Sequence, residues 1–257
     1  MAQTRWATPE VDAFVDTARS APPDLVASAA GWTAHDVLAH AVAGGAEIAR
    51  LVGNHLEGGP ASATIGFAER EPAFRSLRYE TLIDLVADNG IFDLLAAMDE
   101  ADEDSMIDFT GWAVDADTLA LHIRSELALH RWDLCGSDEV SLALLGQPEL
   151  TEHAVRALNG FDMIAERCEV RGQRLARSGL GPLEVRLRVE GQRDVVLSPS
   201  TAGSTSLALA EPLGAAGITT DAASRLLMLW GRRPLGHLAT TTLDGPELRA
   251  LDLWLYK

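Results

Sequence analysis

The hydrophobic period changes once along this 257-residue chain, and that change limits the folds open to it. Up to about residue 170, apolar residues recur at steps of three and four. Val37, Ala41, Gly44, Ile48 and Leu51 mark one such stripe, the face of a helix. Past Arg171-Gly172, the run Leu183-Glu184-Val185-Arg186-Leu187-Arg188-Val189 alternates apolar with charged residues, the period of a half-buried strand. The pattern predicts an α + α/β chain of two domains: a helical one over residues 1–172 and a smaller mixed α/β one over 180–257, with the boundary near 172–182. The length, above the usual single-core size, agrees with two domains.

Local signals place the helices. Thr8-Pro9-Glu10 combines a cap, a proline at the first helical position and an acid in the first turn, and the helix is expected to reach about Leu25-Val26. Thr33 and Asp36 form a capping-box variant before a second helix. Residues 53–66, with Gly58-Gly59-Pro60, read as a loop. Further helices are expected over Tyr79 to Ala101, Asp117 to Leu134 and Thr151 to Val170, with an acidic connection over Asp99 to Asp108. After the strand at 183–189, Gly191-Gln192 reads as a turn. Asp194–Leu197 and Ser204–Ala210 read as strands, and Asp221–Trp230 and Pro246–Trp254 as helices.

Thirty-eight acidic against 21 basic residues give a net charge of -17, which argues against nucleic-acid and anionic-membrane partners. The N-terminal residues carry no basic segment followed by an apolar run, and no stretch is apolar for the length of a membrane span, so a cytoplasmic protein is expected. Cys135 and Cys168 are then expected to be reduced, and they form no CxxC pair.

The most informative segment is Leu119 to Leu134. Leu119, Ile123, Glu126, His130 and Asp133 are spaced four, three, four and three, so an acid and a histidine share the core-facing stripe with two aliphatic residues. A buried carboxylate needs a partner, either hydrogen-bonded polar groups or a metal ion. Glu126 and His130, at i and i+4, converge beside the helix, and His40 on the second helix is the candidate third ligand. Two nitrogens and one oxygen with an open position suit a catalytic zinc. The plainer reading is a helix-stabilising Glu–His pair. His122 lies off the stripe and is expected to be exposed or at a rim, while His35, His55, His153 and His237 read as surface or satisfied core histidines.

Three segments resemble one family. Gly31-Trp32-Thr33-Ala34-His35-Asp36-Val37-Leu38-Ala39-His40 resembles the GWTxxDxxxH segment of the mycothiol-dependent maleylpyruvate isomerase family. Glu126-Leu127-Ala128-Leu129-His130-Arg131-Trp132-Asp133 is similar to its ExxxHxxD segment, and Leu229-Trp230-Gly231-Arg232-Arg233-Pro234 to its C-terminal segment with a tryptophan and a Gly-Arg pair. The resemblance covers both halves in the right order. It implies a DinB-like four-helix bundle followed by a sterol-carrier-like α/β domain, with zinc ligands at His40, Glu126 and His130. It also implies a catalytic arginine that holds a substrate carboxylate, at Arg232 or, as the alternative, Arg233. Asp36 would cap its helix or orient His40, and Asp133 would tie the end of its helix to the bundle. Ala29-Ala30 stand where many relatives carry proline.

The resemblance further implies Zn2+ and mycothiol as thiol cosubstrate, with a small electrophile as the other partner and a monomer or homodimer as the assembly. The metal-bound thiolate would add to the electrophile, giving cis–trans isomerisation or S-transfer. The competing reading is a non-catalytic metal- or small-ligand-binding protein. Trp32, Trp112, Trp132 and Trp230 are read as core or interdomain packing, with cleft lining as the alternative, and Cys135 as packing.

Overall fold

A computed structural model describes residues 9–29, 31–90, 105–161, 170, 172–174, 177, 184–199, 205–232, 240, 241, 245 and 248. The chain folds into two compact units, residues 1–144 and 145–257. A boundary at 172–182 would leave the helix Pro148–Gly160 with the first unit. That helix instead belongs to the second, where it packs on the sheet.

The first unit is helical with one small hairpin. Helix α1 (Pro9–Ser20) opens on its proline and buries Val11, Phe14, Val15 and Ala18. It stops short of the expected Leu25-Val26. Pro22 and Pro23 follow, and the residue before a proline is pushed out of the helical region. Val26 bridges instead to Thr33. Helix α2 (Ala34–Leu56) starts on the expected capping box: the Thr33 backbone N–H donates to Asp36 Oδ2 at 2.9 Å, and Asp36 N–H donates to Thr33 Oγ1 at 3.3 Å.

Helices α3 (Phe67–Arg75) and α4 (Tyr79–Asp84) follow, and α4 runs into a π turn at Leu85–Gly90. The helix expected to reach Ala101 falls, past residue 90, outside the described residues. Within the acidic connection, β1 (Ile107–Phe109) begins an antiparallel hairpin with β2 (Trp112–Val114). Thr110 and Gly111 both sit at positive φ in its turn. Helix α5 (Ala116–Cys135) is capped by Asp115, whose carboxylate accepts from Thr118 N–H at 2.7 Å, and ends at Gly136 with φ 76°. Helix α6 (Glu139–Leu145) follows it. Helix α1 packs on α4 and α5, and α2 packs on α3, α4, α5 and the β1 strand. The core of this unit includes Phe14, Leu38, Leu82, Leu119, Leu127 and Leu129, all fully buried.

The second unit is mixed. Helix α7 (Pro148–Gly160) is followed by a five-stranded sheet in the order β5-β4-β3-β6-β7. Its strands are β3 (Val185–Arg188), β4 (Asp194–Pro199), β5 (Thr205–Ala210), β6 (Ile218–Thr219) and β7 (Thr240–Thr241). Gly191, at φ 74°, takes the expected turn between β3 and β4, and β6 joins β3 in parallel. Helix α8 (Ala222–Leu229) packs on α7, and α7 packs on β5. The chain leaves α8 through a Schellman motif: Gly231 has φ 69°, and Arg232 N–H donates to Leu227 O at 2.8 Å. The helix expected over Pro246–Trp254 falls almost wholly outside the described residues. Among those described, no helix is long and apolar enough to cross a membrane.

Candidate metal centre

Helix α2 carries His40, helix α5 carries Glu126 and His130, and the two helices pack together. One ligand atom from each of the three residues lies within 4.8 Å of the others. His130 Nε2 is 3.4 Å and His40 Nε2 3.6 Å from the same carboxylate oxygen, Glu126 Oε2. The imidazole centroids are 5.0 Å apart and nearly edge-on. The His130 side chain is only 3% exposed, while that of Glu126 is 30% exposed, so the cluster opens on the glutamate side.

Each imidazole is held from behind. His40 Nδ1 lies 2.6 Å from Glu71 Oε1 on α3, and Glu71 Oε2 accepts from Arg75 Nη2 at 3.0 Å. Arg75 also pairs with Asp36, so the capping box of α2 and the support of His40 share one arginine. His130 Nδ1 lies 2.9 Å from Asp133 Oδ2, a carboxylate with no exposed surface. With both Nδ1 atoms engaged by carboxylates, both Nε2 atoms are directed at Glu126. This is the arrangement in which outer carboxylates fix the orientation and basicity of ligating histidines. Trp32 covers the pair, its ring centroid 5.0 Å from His40 and 6.1 Å from His130, and Phe67 lies 5.2 Å from His40.

The electrostatics follow from these neighbours. Burial works against a charged Glu126, but the adjacent His130 and His40 imidazoles outweigh it and hold the carboxyl well below its usual range. Burial works equally against protonated His130. Bonding to Asp133 and the nearby Glu126 outweigh that too, and push this histidine up to about 9.

No protein-family sequence model and no curated protein sequence matches this chain. Two solved structures do. One is a mycothiol-dependent maleylpyruvate isomerase, at 17% sequence identity and a TM-score of 0.57. The other is a histidine-to-alanine mutant of a mycothiol-dependent maleylpyruvate isomerase, at 16% identity and the same TM-score. Each likeness covers 93% of this chain and 91% of the other. The chain has the fold of that isomerase.

The cluster is chemically suited to a divalent ion. His130 Nε2 is buried and makes no well-formed hydrogen bond; its neighbour is Glu126 Oε2 at 3.4 Å, and an ion between them would satisfy both. Two imidazole nitrogens and one carboxylate oxygen match the donor preferences of zinc.

The other expected residues fall as follows. Asp36 caps α2 and bonds Arg75, and it is Glu71 that bonds His40. Asp133 both orients His130 and, through its carbonyl, accepts from Ser28 N–H at 2.8 Å, so it ties the helix end to the preceding loop as well. His122 is half-buried against Phe109, with centroids 5.1 Å apart. His35 Nε2 meets Leu77 O at 2.8 Å. Cys135 is exposed and not a packing residue as expected; its thiol lies 3.1 Å from Arg131 O, and partial desolvation pushes its pKa up. Arg232 follows the Schellman glycine of the second unit and is half-buried; Arg233 lies outside the described residues.

Sequence reasoning missed Glu71. Its available signal is a carboxylate answered by Arg75 one turn later, and it is the one buried residue of α3.

Proposed function

We propose that this chain is a zinc-dependent, thiol-using enzyme with His40, Glu126 and His130 as metal ligands. The reading is carried by one observation: three donors of zinc-like chemistry converge within 4.8 Å, two imidazole nitrogens facing one carboxylate oxygen. The motif resemblance and the fold likeness support it independently, since the first rests on short sequence segments and the second on the course of the whole backbone. A divalent ion held there would stabilise a bound thiolate, lowering the thiol pKa into the neutral range.

The chain's own residues do the rest. Glu71 and Asp133 hold the two imidazoles, with Nε2 of each left as the ligand atom. Trp32 packs beside both rings and Phe67 beside that of His40. Glu126 stays anionic at neutral pH. By resemblance the thiol is mycothiol, the electrophile is a small molecule, and the outcome is cis–trans isomerisation or S-transfer. The two outcomes differ in whether sulfur leaves at the end, which product analysis reads directly. Arg232, by motif, holds a carboxylate of the electrophile through paired hydrogen bonds.

The test is metal content and thiol-dependent turnover of the full chain. His130→Ala is expected to lose zinc and activity together, by more than the roughly 10–100-fold typical of an outer-sphere change. Arg232→Ala is expected to keep zinc and lose turnover. A His130→Ala protein with full zinc and full thiol-dependent activity would overturn the assignment. Zinc bound with no thiol-dependent turnover would leave the non-catalytic metal-binding protein as the answer.

A further inference from the structure

The first unit carries a cavity of about 570 Å³, and none of His40, Glu126 and His130 lines it. Helix α1 supplies Ala13 and Thr17 to its wall, and the turn after that helix supplies Leu25. Helix α5 supplies Arg131 and Cys135, and the turn after α5 supplies Asp138. A cavity of this size falls in the range that small ligands occupy. Its walls are held in place. Leu25 O accepts from Ala34 N–H at 2.8 Å, which ties the turn to the start of α2. Arg131 closes on both oxygens of Asp138, at 2.6 and 2.8 Å, and on Ser141 Oγ, which ties α5 to α6. Arg131 is 7% exposed, and its Nε is buried without an acceptor, so this wall keeps a donor that the protein does not use.

Cys135 brings a thiol to the same wall, and the residue is exposed. Its Sγ lies 3.1 Å from Arg131 O and 3.4 Å from Ser141 Oγ. Partial desolvation raises the thiol pKa, against the Ser141 hydroxyl and the Arg131 guanidinium. A raised pKa has two consequences in exchange with a disulfide. Little thiolate is present at neutral pH, so the adduct forms slowly. Once bonded, the same sulfur is a poor leaving group, so the adduct is also slow to be undone. A group carried on Sγ has the cavity to lie in, with Thr17 and Asp138 for polar contacts and Ala13 and Leu25 for apolar ones.

We propose that Cys135 is a modification site and that this cavity seats the group it takes on, one half of a small polar disulfide. The Cys135 thiolate attacks one sulfur of the disulfide. A new S–S bond forms to Cys135 Sγ as the old one breaks, and the other half leaves as a thiolate that takes up the proton Cys135 gave up. No further oxidant is needed. The choice of a disulfide rests on the proposed function, which brings a low-molecular-weight thiol to the protein and with it that thiol's oxidised form. The cavity and its thiol do not depend on that reading.

The experiment uses the full chain with Cys168→Ser, so that one thiol reports, in zinc-loaded and metal-free forms. Pantethine is a bulky neutral disulfide, while methyl methanethiosulfonate leaves only a methylthio group on the same sulfur. Peptide mass spectrometry locates each adduct, and its time course gives the rate. Both reagents are expected to modify Cys135. Ala13→Leu, which fills part of the cavity and leaves the thiol in place, is expected to slow pantethine about tenfold or more and methyl methanethiosulfonate less than about twofold. A thiol that is merely exposed would not separate the two reagents. Pantethine rates within about twofold of each other with and without Ala13→Leu overturn the proposal, as do equal slowing of both reagents and failure of pantethine to reach Cys135. Should Ala13→Leu fail to fold, Leu25→Trp decides by the same criterion. If the chain takes up no zinc, the metal reading fails by itself, and the metal-free rates still decide Cys135.

Discussion

In the sheet of the second unit, Asp194 is fully buried and Arg188 closes on it with two nitrogens, at 3.0 and 2.7 Å, while Arg186 lies 3.6 Å away. Arg225, buried on α8, donates to the Arg193 carbonyl and to Gln192 Oε1. In the first unit, by contrast, the buried polar cluster is complete on its outer side and open on its inner one. Glu71 and Asp133 are engaged, while His130 Nε2 and His40 Nε2 face only the Glu126 carboxylate, at 3.4 and 3.6 Å. In the sheet, Arg225 Nε is buried without a hydrogen bond, but both oxygens of the Asp194 carboxylate are paired, and that pairing holds the sheet together. A cluster in which three donors of metal-ligand type converge on one place is suited to something that is not part of the chain. The contrast assigns scaffolding to one cluster and binding to the other.

The strongest way to break that contrast is to open the closed cluster. Asp194→Ala leaves Arg188 and its neighbours without their carboxylate, and a loss of about 3–5 kcal/mol is expected in denaturant unfolding. Zinc content per folded molecule should stay at the wild-type level, because the candidate ligands all belong to the first unit. If Asp194→Ala were as stable as wild type, the sheet cluster would not be the scaffold described here.

The next largest effect sharpens the other side. Asp133→Asn keeps the size of the side chain but removes the charge behind His130. Zinc affinity is expected to fall about 10–100-fold, with turnover falling alongside it. Glu71→Gln should do the same through His40. Competition with a chromophoric chelator measures both. Unchanged affinity in the two variants would mean that the carboxylates only pack, and that the imidazoles are oriented by Trp32 and Phe67.

How much of this could be read from the sequence depends on how locally each feature is encoded. The Glu126–His130 pair was legible because i and i+4 fix proximity within one helix, and the capping box at Thr33 because its two partners are three residues apart. Strand β3 was legible from its period of two, and the turn to β4 from its glycine. Glu71 was not, since its partner is 31 residues away and α3 carries no clear apolar face. The short hairpin at Ile107–Val114 hid in an acidic stretch. Arg186 and Arg188 read as the solvent face of a strand. Only the fold brings them onto Asp194, which the sequence marks as no more than a strand start.

The smallest expected effect separates the open cluster from a merely buried one. Folding favours the protonated form of His130, whose pKa rises from 6.5 to about 9 through Asp133 and Glu126 against the cost of burial. The stabilisation this gives the metal-free protein is fully present below pH 6.5 and is lost as pH rises through about 9. Its melting temperature is therefore expected to fall by on the order of 5 °C between pH 6.5 and 9.5. Asp133→Asn should flatten that slope, having removed the largest favourable partner of the proton. A divalent ion competes with the same proton for Nε2, so the zinc-loaded protein should lack the slope, and zinc affinity should climb with pH over this interval. Melting curves at half-unit pH steps, with and without zinc, test all three. Parallel curves for the loaded and metal-free forms would mean that the ion and the proton do not share His130, and the open cluster would have to be assigned to some other occupant.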